Sequence, residues 1–225
     1  MEFHYFTPQN DGDILHPNEP HIPLLFLIDT SGSMHGEPIK SLESGIIRLS
    51  EVLSRSDFAE VIDLAVVSFS DHAELVRPFS ASNVRCEIAL TAYGPTVLGE
   101  GIQTALHEAR ERRRKYMNYG VPYYKPWIIL VTDCNYAENM PVLQNMVKEL
   151  TEQNKLSLFA IGLPGCDNNI LQALTERVVN VDDYDLDELF SFIGNCLIEG
   201  PNLGPFPIKP PPLPPNAHVI SYDKW

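Results

Sequence analysis

The chain has 225 residues, of which 30 are acidic and 16 are Lys or Arg, giving a formal charge of −14. An apolar content of 44% with 10 Phe, 9 Tyr and 2 Trp excludes a wholly disordered chain. The acid excess excludes general nucleic-acid binding and docking on anionic lipid, because both need clustered positive charge. It fits a soluble protein that captures cations or meets basic partners.

The first residues, MEFHYFTPQNDGD, carry no basic start and no apolar core, so no secretory signal is expected. No apolar run approaches the roughly 20 residues of a membrane helix. Cys86, Cys134, Cys166 and Cys196 are scattered without a CxxC pair. Reduced thiols in a cytoplasm are the expectation, rather than a disulfide framework or a zinc cluster.

In chain order, Ile22 to Ile28 is an apolar run ending at Asp29, as in a strand covered on both faces. From Glu37 to Leu53 the spacing of Ile39, Leu42, Ile46, Leu49 and Leu53 is helical, with Pro38 suited to the first turn. Val61 to Phe69 and Ala73 to Phe79 read as strands, joined at Asp71–His72 as a hairpin. Thr96 to Lys115 reads as a helix, Trp127 to Thr132 as a strand ending at Asp133, and Pro141 to Leu150 as a helix. Leu156 to Leu163 is a strand, Ile170 to Leu174 helical, Val178 to Val181 a short strand, and Leu186 to Leu197 a last helix.

The alternation predicts an α/β fold: a doubly wound, mainly parallel central sheet with helices on both faces and one antiparallel edge strand. Composition then changes. Eight of the 19 prolines fall between Pro201 and Pro215, which predicts extended polyproline II chain followed by an aromatic end.

In open α/β sheets ligands bind beyond the carboxyl ends of the strands, where the strand order reverses. Three segments should meet there: Asp29-Thr30-Ser31-Gly32-Ser33, Gly94-Pro95-Thr96, and Asp133. They supply two carboxylates and three hydroxyls. Oxygen-only donors on a tight turn suit a hard cation such as Mg2+, with Mn2+ or Ca2+ as alternatives. Ser31 and Ser33, two apart on an extended turn, should face one ion, and Thr96 should arrive from a separate loop.

Asp29-Thr30-Ser31-Gly32-Ser33 resembles the DxSxS motif of the von Willebrand factor A (vWA) domain, and Thr96 and Asp133 match that family's later Thr and Asp. The likeness runs over about residues 20–199 and is nearest to the intracellular bacterial branch associated with tellurium resistance and stress (TerY-like). It implies a Rossmann-like vWA domain over 21–199, an N-terminal extension over 1–20 and a Pro-rich tail over 200–225. It also implies a metal-ion-dependent adhesion site (MIDAS) at Asp29, Ser31, Ser33, Thr96 and Asp133. Such a site is a binding module, not an enzyme. A partner protein's acidic side chain completes the shell of an ion that its own ligands neutralise incompletely. The family usually has Gly after the last Asp; here Cys134-Asn135 follows, and Asn tolerates positive φ more readily than Cys.

Two other functions compete. One is a structural scaffold with a degenerate metal site. The other, less favoured, is a HAD-type phosphotransferase, which needs a second Asp where Ser31 stands. Elsewhere, the basic run Arg110 to Lys115 is expected to be a solvated helix end. The aromatic loop from Tyr116 to Trp127 offers either self-packing or partner docking. Cys134 is expected to be a buried, inert thiol.

Overall fold

The strand β1 (Ile22–Asp29) is buried over its whole length, as its unbroken apolar run requires of a strand with neighbours on both edges and helices on both faces. The computed structural model describes residues 13–83, 86–134, 140–199 and 213–221. Around β1 lies one seven-stranded sheet in the order β3-β2-β1-β4-β5-β6-β7. Five strands are parallel: β1, β2 (Ile62–Phe69), β4 (Trp127–Thr132), β5 (Ser157–Gly162) and β6 (Val178–Val181). The edges β3 (Ala73–Ala81) and β7 (Ala217–Ser221) run antiparallel.

Alternate β1 side chains feed two separate cores. Leu24, Phe26 and Ile28 face α1 (Glu37–Ser54) and α5 (Asp187–Glu199), where Phe26 stacks on Phe190 at 5.4 Å. Leu25 and Leu27 face α2 (Leu98–Tyr119), α3 (Pro141–Glu152) and the short α4 (Asn168–Gln172). The helical residues predicted on α1, Ile39, Leu42, Ile46, Leu49 and Leu53, are all buried.

Two antiparallel edges stand where one was expected. The second, β7, lies inside the segment expected to be a tail, so the sheet continues past residue 199. Its pairing with β6 aligns Val181 with Ala217 and Asn180 with His218. The cause is local: the outer edge of β6 presents unpaired backbone groups, and AHVIS is the first stretch after the prolines that carries donors to meet them. Leu213 packs against the α1–α5 core on the way in. Residues 200–212, which hold most of the expected polyproline stretch, lie outside the described residues.

The basic run is only partly a solvated helix end: Arg110 and Arg114 are exposed, as expected, but Arg112 is not. α2 continues to Tyr119, and Arg112 turns inward with its side chain 3% exposed. Its guanidinium donates to Asp63 at 2.9 Å and to Asp13 at 2.7 Å. Asp63 is fully buried and also accepts from His21 Nδ1 at 2.8 Å and from the Tyr116 hydroxyl. Burial, then the adjacent Asp63 carboxylate, push the Tyr116 phenol well above its usual range, so it remains a proton donor. Lys115 closes the group on Asp13 at 2.7 Å, and Ile14 packs with Tyr116 and Val121. The aromatic loop is self-packed here: Tyr116 stacks on Tyr123 at 5.4 Å and Trp127 on Phe159 at 4.9 Å.

This polar knot ties the start of β1, the start of β2 and the last turns of α2 at the pole opposite the strand carboxyl ends. Asp63→Ala is expected to lower stability by about 3–5 kcal/mol, because it leaves a buried guanidinium without its inner partner. Urea unfolding of the variant beside the parent measures this.

Candidate metal centre

The turn after β1 is built by its own carboxylate. Asp29 is 0% exposed, and its Oδ1 accepts the Ser31 backbone N–H at 2.8 Å, which folds the chain back over the strand end. Its Oδ2 accepts the Thr132 hydroxyl, from the last residue of β4, at 2.5 Å. Two adjacent parallel strands are therefore pinned together through one carboxylate. Burial raises the Asp29 pKa above the ordinary carboxylate value; the hydrogen bonds from Thr132 and Ser31 oppose the rise, and the nearby Asp133 carboxylate adds to it.

The side chains then sort as an extended turn dictates. Thr30 points away, donating its hydroxyl to the Phe69 carbonyl at 3.1 Å. Ser31 and Ser33 face the same way, with their Oγ atoms 3.1 Å apart. Gly32 between them donates its N–H to the Gly94 carbonyl at 2.9 Å. A Cβ on Gly32 would sit 3.3 Å from that carbonyl, so a larger residue there would push the two loops apart.

Through this contact the loop carrying Thr96 is docked on the serine turn. Gly94 lies at φ +68, and three residues on, the Val97 N–H donates to the Ser70 carbonyl at 2.8 Å. Half-buried Thr96 is held between those two anchors. It does not cap α2: the helix starts at Leu98, two residues later than expected, with Val97 in the cap position. The hydrogen bond to Ser70 draws Val97 out of the helical conformation.

Asp133, 4% exposed, follows β4 beside β1 and is close enough to Asp29 to shift it. Cys134, the less ready of the two residues after Asp133 to adopt positive φ, sits at φ +51, where L side chains rarely sit. Its N–H returns to Thr132 Oγ1 at 3.0 Å, which holds this conformation in place. The Cys134 thiol is pushed up by a hydrogen bond with Cys166 and by burial, so it keeps its proton at neutral pH. Asn135 lies outside the described residues.

Asp29, Ser31 and Ser33 are thus joined by direct hydrogen bonds, Asp133 by its field on Asp29, and Thr96 through the backbone of its loop. Thr132 was not singled out in the sequence, although a hydroxyl ending an apolar strand directly before Asp133 was the available signal. Among the described residues no group of three or more His, Cys, Asp or Glu gathers for a metal. Any ion must therefore take hydroxyl donors beside the two carboxylates. The donor set fits a hard cation: two cis ligands of an octahedral ion at about 2.1 Å stand about 3.0 Å apart, close to the serine spacing.

The fold is a doubly wound sheet with carboxylate and hydroxyl side chains at the ends of β1 and β4 and on the loop before α2. The chain belongs to the von Willebrand factor type A domain family, whose profile matches residues 24–192. Among solved structures it is similar to proximal thread matrix protein 1 from the mussel byssus, at 19% identity and a TM-score of 0.58, over 89% of this chain and 49% of that one. A second structure of that mussel protein, with a zinc-occupied MIDAS motif, aligns at 18% identity and a TM-score of 0.60, over 80% of this chain and 46% of that one. The pilus adhesin SpaC from Lactobacillus rhamnosus GG aligns at 12% identity and a TM-score of 0.66, over 81% of this chain and 30% of that one. This chain therefore spans about half or less of the length of these relatives. At such identities the likeness establishes the fold. No curated protein sequence matches the chain.

Replacing Thr132 with Val keeps the side-chain shape but removes both the donor to Asp29 and the acceptor of the Cys134 N–H. The variant should lose about 1–3 kcal/mol at neutral pH, the cost of an under-bonded buried acceptor. The loss should shrink in acid, where Asp29 takes up a proton. Denaturant unfolding across pH reads both.

Proposed function

We propose that this protein is a metal-dependent interaction module without catalytic turnover, holding a divalent cation through Asp29, Ser31, Ser33, Thr96 and Asp133. The observation that carries this is the paired Ser31 and Ser33 hydroxyls, 3.1 Å apart beside the buried Asp29 carboxylate. The ion would supply a Lewis-acidic point to which a partner's carboxylate binds. The chain's own residues do the rest. Asp29 shapes the turn, Thr132 and the Ser31 N–H hold that carboxylate in place, and the Gly32–Gly94 contact presents Thr96. Ser33 is exposed, which leaves the face open to a partner.

Mg2+ is the ion proposed, since the serine spacing suits its short bonds better than the longer ones of Ca2+. The partner proposed is a protein with an exposed Asp or Glu, and the net charge of −14 disfavours nucleic acid or anionic lipid instead. Ser31, where a phosphotransferase of the HAD type would need its general acid, supports a non-enzymatic role. A place in a cytoplasmic bacterial stress-response, tellurite-resistance or defence system is supported by the sequence resemblance and the free thiols of all four cysteines. Among the described residues no helix is long and apolar enough to cross a membrane.

Titration calorimetry with Mg2+ and Mn2+ should show one site, lost in Ser31→Ala with Ser33→Ala while the fold persists. Because the Asp29 pKa is raised, the ion-free fold loses stability as pH rises through that value, and a bound cation offsets the loss. The cation-induced rise in Tm should therefore be full at neutral pH and fade as acid protonates Asp29. No heat of binding from either ion, in protein that is folded, would overturn the proposal.

A further inference from the structure

Cys134 and Cys166 come from different strand ends, 32 positions apart in sequence, yet both pack into the same core beneath α2 and α3, close enough for their thiols to interact. Sheet register brings them together. Thr132 pairs with Gly162 across β4 and β5, and the Leu163 N–H donates to the Thr132 carbonyl at 3.0 Å. Cys134 turns back on Thr132, while the Cys166 N–H closes a tight turn on the Leu163 carbonyl at 3.0 Å. The Cys166 sulfur then lies over Gly162, only 3.2 Å from where a side chain there would begin. Glycine at 162 thus leaves room for this thiol. Cys134 is buried and Cys166 half-buried, whereas Cys86 and Cys196 are both buried at other places in the fold.

We propose that Cys134 and Cys166 form a reversible disulfide under peroxide and that its formation weakens cation binding at the neighbouring Asp133. The coupling half rests on the metal-site assignment above; the disulfide half does not.

The chemistry balances with a hydroperoxide as oxidant. The more exposed Cys166 sulfur attacks a peroxide oxygen, the O–O bond breaks, and Cys166 becomes a sulfenic acid with release of water. The Cys134 sulfur then attacks the Cys166 sulfur; the S–O bond breaks, and the departing hydroxide leaves as water with the Cys134 proton. Two thiols are oxidised, one hydrogen peroxide is reduced, and two waters form. A thiol reductant reverses the step. Closing an S–S bond of about 2.0 Å from a thiol–thiol contact draws the two backbones together. Cys134 already sits at φ +51 and has Asp133 as its chain neighbour, so the displacement reaches the carboxylate directly.

The test uses the full chain, reduced and then treated with hydrogen peroxide. Intact mass should fall by two hydrogens, and a non-reducing peptide map should join Cys134 to Cys166. Mn2+ affinity should fall about tenfold, in line with disturbing a metal ligand's support, and return with dithiothreitol. Cys166→Ser should lose no hydrogens and keep its Mn2+ affinity through the same treatment. A cross-link to Cys86 or Cys196, or over-oxidation with no cross-link, overturns the disulfide. The Cys134–Cys166 cross-link with unchanged Mn2+ affinity overturns the coupling. Reduced protein that binds no Mn2+ overturns the metal-site assignment, and the peptide map still decides the thiol chemistry.

Discussion

A carboxylate with no solvent exposure, at the end of the most buried strand, is the constraint around which this fold is arranged. Removing a carboxylate from water is unfavourable by several kcal/mol unless donors meet it. Asp29 meets the Thr132 hydroxyl from the adjacent strand and the Ser31 N–H from its own turn. Those two bonds also set the path of the chain: one ties β1 to β4, the other folds the serine turn into the cleft. Asp133 stands close enough to work against the charge. Two acids are thus held near each other and away from solvent, an arrangement that a divalent cation relieves.

The other pole is organised by the same physics with the charges supplied from within. Asp63 is as buried as Asp29, but Arg112, Tyr116 and His21 all donate to it. The positive partner there is part of the chain. α2 runs between the two poles, with Arg112 and Tyr116 near its C-terminal end and the Thr96 loop at its start. Its 22 residues extend roughly 33 Å. The knot at one pole and the Val97–Ser70 hydrogen bond at the other therefore hold the Thr96 loop from both ends of one rigid element.

The parallel strands and their helices were legible because a central strand and an amphipathic helix leave different periodicities. β4 runs over the six residues expected, and the apolar face of α1 is the one its spacing named. What escaped the sequence depended on partners far along the chain. A short polar-flanked stretch such as AHVIS carries little strand signal until an unpaired edge is present, so β7 was read as tail. Arg112 looks like its exposed neighbours until Asp63 and Asp13 stand opposite it. At the candidate site, the alternation that turns Ser31 and Ser33 to one side and Thr30 to the other was readable. That Cys134 adopts a positive φ was not, because the Thr132 hydroxyl holds it there. The pairing of Cys134 with Cys166 depends on the β4–β5 register, which no local pattern encodes.

The most direct measurement is anomalous diffraction from crystals grown with Mn2+. The proposed site predicts a single strong peak within bonding distance of the Ser31 and Ser33 hydroxyls, in the cleft between Asp29, Thr96 and Asp133. Well-ordered crystals in which that cleft carries no anomalous signal, or in which Mn2+ sits only elsewhere on the acidic surface, would contradict it.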